Sequence, residues 1–210
     1  MKKNNPIIYP LFSSPVYREE TEFRVNSTEL KTIKSLSFVP SRPTPKKFDW
    51  SRPGHPVDIS KDHEILKQKA LKRIKNFIDE KAQYFFKKLL FLKNELVITQ
   101  SWVSRGQTGG THHKHRHPNA LFSVVYYVDC PSAQLRFSRE DNFLDNSYLF
   151  SYDFEQYNFY TSRHWTVPVK TGDLFIFPGS LFHESSPNQH STDKWVLGAN
   201  YFFKKVPVSF

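Results

Sequence analysis

The second half of the chain alternates apolar and polar residues with a period of two, which is typical of β-strands whose two faces meet different surroundings. Glycine and proline divide this half into short runs. The pattern predicts eight strands, at residues 95–104, 111–117, 120–129, 133–138, 164–169, 173–178, 181–186 and 194–204. Eight short strands in succession favour a jelly-roll-like double sheet, a fold that can cradle a metal ion.

The N-terminal third has a different pattern. Residues 7–17 are apolar and interrupted by proline, which predicts an edge strand. Residues 28–37 predict a short helix with Ser27 or Thr28 as its N-cap. Residues 39–58 contain five prolines and predict a loop that follows the surface.

A long amphipathic helix is predicted to begin at Ser60, which would cap it. Its apolar residues recur every three, four or seven positions: Leu66, Ala70, Ile74, Phe77, Ile78, Phe85 and Leu89. Residues 61–93 carry ten basic and four acidic residues, a net +6 of the chain's +10. This excess could attract nucleic acid or another polyanion, or it could be the solvated face of the helix. The second interpretation is favoured because no nucleic-acid-binding motif accompanies the charge.

Together these elements predict an α+β protein with a jelly-roll or cupin-like core and N-terminal helices packed on one sheet. The length suits a single domain over residues 1–210, with the strand, Pro-rich loop and helices in 1–94 and the β core in 95–205. Residues 139–163 interrupt the strands with an aromatic, polar segment. This segment would be either a lid or binding loop, or an extra hairpin that covers one sheet.

Cysteine content and hydropathy indicate the cellular compartment. The single cysteine, Cys130, excludes an internal disulfide and suits a reducing environment. No apolar run is long enough to span a membrane, and the first residues do not resemble a cleavable signal peptide. We therefore expect a soluble cytoplasmic protein without a membrane partner. The sequence does not predict its oligomeric state.

Four of the nine histidines lie within residues 112–117, directly before an apolar strand. On a strand, His115 and His117 point to the same face and can bind one metal ion from a rigid element. Neutral imidazole is the commonest side-chain metal ligand. A third ligand must come from elsewhere, and His183 is the best candidate.

Other histidines remain alternatives. His113 shares the strand face of His115 and His117 and could replace one of them, whereas His112 points the other way and is expected to be structural or exposed. His190 is a weaker candidate in a polar turn. The whole cluster could instead be a surface histidine tract or a loose zinc-binding tract. That interpretation is disfavoured because the cluster lies inside the chain, between two predicted strands.

Several motifs of the second half occur together in an order typical of one enzyme family. They are Trp102, Gly106, His115-Arg116-His117-Pro118, Ser123-Val124-Val125-Tyr126-Tyr127, Gly172-Asp173-Leu174-Phe175-Ile176-Phe177-Pro178, His183, Pro187-Asn188 and Asn200. The chain resembles the Fe(II)/2-oxoglutarate-dependent oxygenases. It is most similar to a prolyl-hydroxylase-like branch in which His-x-His-Pro precedes Ser-Gly-Val-Tyr-Tyr. The resemblance covers residues 95–204, and Val124 replaces the glycine of that branch.

The resemblance implies a double-stranded β-helix in which His115, His117 and His183 bind Fe(II). It also implies 2-oxoglutarate as cosubstrate, with Lys194 where the family has an arginine for the distal carboxylate, and with the Tyr127 hydroxyl on the same carboxylate. Further residues predicted around the pocket or behind the ligands are Ser123, Val125, Gln100, Ser104, Asn119 and Asn200.

The implied reaction is a hydroxylation coupled to oxidative decarboxylation of 2-oxoglutarate by O2. The primary substrate is unknown and could be a protein side chain, a small metabolite or, less favoured, a nucleic acid. Two other classes remain open. The protein could be a three-His, cupin-type dioxygenase that does not use 2-oxoglutarate, or a non-enzymatic basic β-sandwich that binds a partner. A nucleophilic enzyme is disfavoured because no Ser or Cys elbow motif is present.

Overall fold

Two antiparallel sheets face each other in the second half of the chain, and helices from the first half cover the larger one. The computed structural model describes residues 13–42, 55–139 and 154–206. Its strands are β1 (Tyr17–Glu20), β2 (Phe38–Pro40), β3 (His55–Pro56), β4 (Asp58–Ser60), β5 (Leu96–Gly106), β6 (Gly110–Thr111), β7 (Phe122–Asp129), β8 (Ala133–Ser138), β9 (His164–Val169), β10 (Asp173–Pro178), β11 (Phe182–Ser185) and β12 (Lys194–Phe203). Its α-helices are α1 (Ser27–Lys34) and α2 (Lys72–Tyr84).

The large sheet has the strand order β1-β10-β7-β12-β5-β4-β2, and the small sheet has the order β11-β8-β9. All neighbouring strands within these two sheets are antiparallel, and β3 with β6 forms a separate parallel pair. Strand β12 lies in the centre, between β5 and β7. The predicted α+β architecture, with a β core and helices packed on one sheet, is confirmed.

The period of two along β7 decides what each face of the large sheet contacts. Val124, Tyr126 and Val128 are buried on the face that packs against the helices. Tyr127 is buried on the opposite face, in a second apolar cluster with residues of β8, β9 and β10. Because consecutive side chains point to opposite faces of a strand, one short segment contributes both to the helix-side core and to the space between the sheets.

Most predicted strands match the structure, and three of them, 133–138, 164–169 and 173–178, coincide with β8, β9 and β10. The predicted strand 111–117 is wrong: a strand is present only at Gly110–Thr111, and the histidine segment that follows is irregular. The reason is that this segment forms hydrogen bonds with two different partners. The His115 N–H donates to the carbonyl of His183, and the His117 N–H donates to that of Gly179.

The long helix predicted from Ser60 is also wrong at its start, because α2 begins only at Lys72. Two 3-10 turns, Ile65–Lys67 and Lys69–Leu71, precede it, and Gln68 between them has an extended conformation. The Ser60 hydroxyl donates to the carbonyl of Asp62 and accepts from the Val103 N–H, so it is not a helix cap. The helix continues as a π-helical turn at Phe85–Leu89.

The first helix is close to its predicted range, but its N-cap is Asn26 and not Ser27 or Thr28. Asn26 and Glu29 form a capping box, in which each side chain accepts a hydrogen bond from the other's backbone N–H. An edge strand is present at β1, later than predicted; residues 7–12 lie outside the described residues. Two further ranges lie outside the described residues. They are 43–54 of the predicted loop, which lies between β2 and β4, and 140–153 of the aromatic segment.

Basic residues of α2 are partly neutralised by neighbouring carboxylates. Arg73 pairs with Glu29 at 2.6 Å and Lys81 pairs with Glu19 at 2.7 Å. These ion pairs tie α2 to α1 and to β1, which fits a structural role for part of the positive charge. Of the helices described, none combines the length and apolar character that crossing a bilayer requires.

Candidate metal centre

Three histidines converge at one end of the space between the sheets. The candidate ligand nitrogens of His115, His117 and His183 all lie within 4.8 Å of one another. His183 is on β11, and an isolated antiparallel bridge joins it to His115, with N–H···O distances of 3.0 and 2.9 Å in the two directions. The small sheet and the histidine segment therefore hold two of the three rings in register.

Each of these rings has its Nδ1 occupied by an oxygen. Nδ1 of His115 lies 2.7 Å from the carbonyl oxygen of His113, and Nδ1 of His183 lies 3.0 Å from that of Leu181. A carbonyl oxygen only accepts hydrogen bonds, so both Nδ1 atoms carry the proton and donate it. The lone pair is then on Nε2, which is the tautomer that a metal site requires.

The third ring, that of His117, is oriented by side-chain hydrogen bonds to its Nδ1 side. Nδ1 of His117 lies 2.7 Å from Oδ1 of Asn200, and the Ser123 hydroxyl donates to the same oxygen at 2.9 Å. The Asn200 amide donates to Gln100 Oε1 at 3.0 Å. This arrangement places Ser123 and Gln100 behind His117, whereas the sequence predicted them as pocket residues. The supporting role predicted for Asn200 agrees with its contact to His117.

Burial keeps the three imidazoles uncharged. It lowers the pKa of His183 to about 3 and that of His115 to about 4, and it also lowers the pKa of His117. All three rings are therefore neutral near pH 7. Three neutral imidazoles with convergent Nε2 atoms fit a divalent transition metal such as Fe(II), and they leave the remaining coordination positions of the metal open.

The histidines border an open cavity of about 580 Å³, part of which is continuous with solvent. Four residues predicted for cosubstrate binding line it: Ser104, Val125, Tyr127 and Lys194. They come from β5, β7 and β12, because the faces of these strands that point away from the helices border the cavity. Lys194 pairs with Gly106 across β12 and β5, and the next residue on its face, Val196, pairs with Ser104.

Lys194 is a buried cation with no carboxylate partner among the residues that the structure describes. Its side chain is 3% exposed, and its Nζ lies 3.4 Å from both the Ser185 hydroxyl and the Ser186 carbonyl oxygen. It forms no ion pair with any residue in the described ranges. Burial lowers its pKa. A buried ammonium is costly unless an opposite charge compensates it, so the cavity is suited to an anionic ligand at this end.

Tyr127 lines the same cavity. The residue is 2% exposed, and burial raises the pKa of its phenol. The hydroxyl therefore stays protonated at neutral pH and can donate a hydrogen bond. No hydrogen bond from it to another described residue is present, so this donor is available to a ligand.

The remaining histidines and Asn119 lie outside the three-histidine cluster. His113 has a buried Nδ1 without a hydrogen-bond partner among the described residues, and its ring centroid is 5.5 Å from that of His115. His190 contacts the Ser132 hydroxyl through Nε2 at 2.9 Å. Asn119 is exposed in the turn after His117. His112, expected to be structural or exposed, lines the cavity instead.

Sequence reasoning missed two residues that shape the site. Ser185 lies two positions after His183 on β11, so its shared face with a candidate ligand was a signal that could have found it. Gly198 is the cross-strand partner of Trp102. A Cβ at Gly198 would lie 2.6 Å from the Trp102 indole, whose ring centroid is 5.4 Å from that of His117. Only glycine allows the indole to lie flat against β12 at this point.

This fold and this site define a double-stranded β-helix protein with a cluster of three histidines that could hold a metal ion. Residues 100–200 match the family model described as "Putative 2OG-Fe(II) oxygenase". The match covers the β-helix core, just under half of the chain, and the predicted resemblance to the Fe(II)/2-oxoglutarate-dependent oxygenases is confirmed. The comparison with curated proteins found no sequence match.

Solved structures share the fold at low sequence identity. A Pseudomonas putida prolyl-4-hydroxylase is 13% identical, with a TM-score of 0.58 over 92% of this chain and 95% of that one. The carbocyclase SnoK of nogalamycin biosynthesis is 10% identical, with a TM-score of 0.59 over 90% and 80%. The epimerase SnoN, in a complex with Fe3+, alpha ketoglutarate and nogalamycin RO, is 12% identical, with a TM-score of 0.54 over 83% and 71%. These likenesses confirm the double-stranded β-helix.

Proposed function

We propose that this oxygenase is a 2-oxoglutarate-dependent hydroxylase in which His115, His117 and His183 hold the Fe(II). The observation that carries the proposal is that three imidazoles with ligand nitrogens within 4.8 Å of one another line a cavity that also contains the buried Lys194, which has no ion-pair partner among the described residues. Three facial ligands leave positions for a chelating cosubstrate and O2. Because all three ligands are neutral, the site retains the full charge of the metal, which favours a dianionic cosubstrate.

The cosubstrate site follows from the polar groups of the cavity. We propose that Lys194 pairs with the distal carboxylate of 2-oxoglutarate, and that the Tyr127 and Ser104 hydroxyls donate hydrogen bonds to it. Val125 would form an apolar wall between them. We assign Ser123 and Gln100 to the orientation of His117 through Asn200, because their hydrogen bonds lead to that ring.

The chain's own contribution to the reaction is binding, orientation and exclusion of water. When bound, Fe(II) and 2-oxoglutarate supply the oxidising power: O2 is consumed, 2-oxoglutarate leaves as succinate and CO2, and a substrate C–H becomes C–OH. The carbonyls of His113 and Leu181 and the Asn200 amide hold the three imidazoles in the ligating tautomer. Valine, leucine and tryptophan side chains form part of the cavity wall, and with substrate bound they would limit the contact of water with the reacting atoms.

Product formation and metal content test the ligand assignment together. The purified protein, supplied with Fe(II), 2-oxoglutarate and O2, should bind one iron and release succinate. His115→Ala and His183→Ala should lose both. His190→Ala is the matched control, because it removes a histidine outside the cluster, and it should change neither.

Three results would contradict parts of the proposal. Iron retained in His183→Ala would remove that residue from the ligand set. Oxygen uptake without 2-oxoglutarate would favour the cosubstrate-independent dioxygenase class. Failure of the wild-type protein to bind any iron would favour a non-enzymatic binding module.

We further propose that the primary substrate is an organic molecule with an oxidisable C–H bond and that the enzyme works in the cytoplasm. The sole cysteine, Cys130, supports the second point, because it is a buried, free thiol that needs no oxidising compartment. Burial raises the pKa of this thiol to about 11, so it is also unreactive. Comparing the protein in cytosolic and secreted fractions of its native cells tests this assignment.

A further inference from the structure

His112 borders the same cavity but is not one of the three candidate ligands. Its ring stacks on His115, with centroids 4.3 Å apart and 23° between the planes. Its backbone N–H is hydrogen-bonded, but neither of its ring nitrogens has a partner among the residues that the structure describes. The ring therefore offers polar atoms to the cavity that no described protein group uses.

His112 contacts one candidate ligand, His115, through its ring, and it contacts a neighbour of Lys194 through its main chain. Its main chain pairs with Ser185: the Ser185 N–H donates to the His112 carbonyl at 3.0 Å, and the His112 N–H donates to the Ser185 hydroxyl oxygen at 3.1 Å. That same oxygen lies 3.4 Å from Lys194 Nζ. The cavity that the three candidate ligands and Lys194 line is thus also lined by His112, which is linked to Lys194 through Ser185.

With one hydrogen bond each, the proposed donors Lys194, Tyr127 and Ser104 leave one acceptor site of the distal carboxylate unfilled. A carboxylate has about four lone-pair sites, and an arginine can fill two of them with its planar fork, whereas an ammonium acts as a point charge. An imidazole has at least one N–H donor in every protonation state. His112 can thus supply the second directed hydrogen bond that an arginine would make to the carboxylate and that Lys194 does not make.

We propose that His112 is a further cosubstrate-binding residue, whose ring N–H donates a hydrogen bond to the distal carboxylate of 2-oxoglutarate beside Lys194. The inference rests on the proposed function of the site. It assigns to His112 a contact with the cosubstrate and none with the metal.

Two variants separate the hydrogen bond from the stacking contact. His112→Phe keeps an aromatic ring against His115 and removes the donor, whereas His112→Gln keeps an N–H donor without the ring. The measurements are anaerobic dissociation constants of the protein for Fe(II), for 2-oxoglutarate in the presence of Fe(II), and for 2-oxovalerate, a 2-oxo acid that has no distal carboxylate.

We expect His112→Phe to bind 2-oxoglutarate about ten- to a hundredfold more weakly, the cost of losing a hydrogen bond to a charged group. His112→Gln should recover part of that loss. Affinities for Fe(II) and for 2-oxovalerate should stay within about threefold of wild type in both variants, because neither ligand uses the proposed contact.

Each contrary result has a distinct meaning. Unchanged 2-oxoglutarate binding in His112→Phe would overturn the inference, and so would an equal loss for 2-oxovalerate, since the residue would then act elsewhere in the site. Loss of Fe(II) in both variants would make His112 a ligand. A wild-type protein that binds Fe(II) but not 2-oxoglutarate would overturn the proposed function itself, and that result is visible before any variant is made.

Discussion

At the scale of single residues, each candidate ligand is oriented by the ring nitrogen that faces away from the metal position. The partners of His115 and His183 are carbonyls two residues earlier in the chain, so these two rings are fixed by local backbone. The partner of His117 is Asn200, 83 residues away. The three ligands therefore differ in how they respond to substitution of their partners.

Substitution of Asn200 should weaken iron binding without removing a ligand. Asn200→Leu keeps the branched shape of the side chain but cannot accept the His117 N–H, so Fe(II) affinity should fall about 10- to 100-fold. Asn200→Asp keeps an acceptor oxygen and should bind Fe(II) at least as well as wild type. Competition with a metal chelator measures both variants, and equal affinities in all three proteins would contradict the role of Asn200.

Lys194 should show opposite effects on ligand binding and on stability. Lys194→Met removes a buried charge that has no ion-pair partner in the described ranges, so the ligand-free protein should become more stable, by about 1 kcal/mol or more. The same variant should require at least about tenfold more 2-oxoglutarate while its Fe(II) affinity is unchanged. Lys194→Arg is the control that keeps the charge. Denaturant titration and cosubstrate titration test the two effects separately, and a destabilised Lys194→Met would argue that the ammonium has a compensating partner.

At the scale of elements, the two central strands show how backbone packing supports the site. Gly198 on β12 faces Trp102 on β5, and the indole lies next to His117. Gly198→Ala should push the indole out of place and destabilise the protein by about 1–3 kcal/mol. Ala199→Gly, the matched control on the helix-facing side, should cost stability without moving Trp102. A Gly198→Ala variant with wild-type stability and unchanged tryptophan fluorescence would contradict this account.

The capping box of α1 is a second element whose contribution can be isolated. Asn26→Ala removes the acceptor for the Glu29 N–H and should lower the free energy of unfolding by about 1 kcal/mol. Fe(II) affinity should not change, because α1 lies on the helix-covered side of the large sheet. Asn76→Ala, an exposed position within α2, is the control and should have little or no destabilising effect. Equal effects of the two substitutions would argue against the cap.

Much of the β core could be predicted, and the reason is local. Strands β8 and β9 alternate apolar and polar residues, and β10 is a short apolar run that is buried along almost its whole length. All three end at glycine, proline or polar turns, so pattern alone gives their bounds. The same reasoning wrongly predicted a strand for the histidine segment 112–117, because the backbone partners of this segment, His183 and Gly179, are distant in sequence. Its histidines nevertheless converge, since the bridge between His115 and His183 replaces the predicted strand.

The helical half was predicted less well for a similar reason. Spacing of apolar residues identified α2 but could not show that Gln68 is extended, which divides the segment into 3-10 turns and a helix. Among the site residues, the cavity positions of Ser104, Val125, Tyr127 and Lys194 followed from strand alternation and family resemblance. The contacts of Ser123 and Gln100 with Asn200 could not be predicted in this way, because they depend on which neighbours the Asn200 side chain contacts.

At the scale of the whole molecule, the buried histidines couple folding to pH. The folded-state pKa values of His183 and His115 are about 3 and 4, below the value of about 6.5 expected in an unfolded chain. As the pH falls below about 6.5, the unfolded state takes up protons that these two residues in the folded state do not, so stability decreases. Each group contributes at most about 1.4 kcal/mol per pH unit.

The metal-free protein should therefore lose stability between pH 7 and pH 5 faster than a variant without these rings. Denaturant titrations in the presence of a chelator measure the free energy of unfolding at both values. A His115→Gln/His183→Gln double variant, which cannot take up these protons, should have the shallower pH dependence. Identical slopes would show that these histidines do not take up protons preferentially on unfolding.

The central claim is that one cavity holds Fe(II) on three histidines and 2-oxoglutarate beside Lys194. The most direct test is anaerobic: Fe(II) and 2-oxoglutarate are added to the protein, and the visible metal-to-ligand charge-transfer band of the chelate is recorded. We predict a band with one equivalent of each, its loss in His115→Ala, its persistence in His190→Ala and its appearance only at higher 2-oxoglutarate concentration in Lys194→Met. Iron that binds without any band, or a band that survives in His115→Ala, would contradict the account.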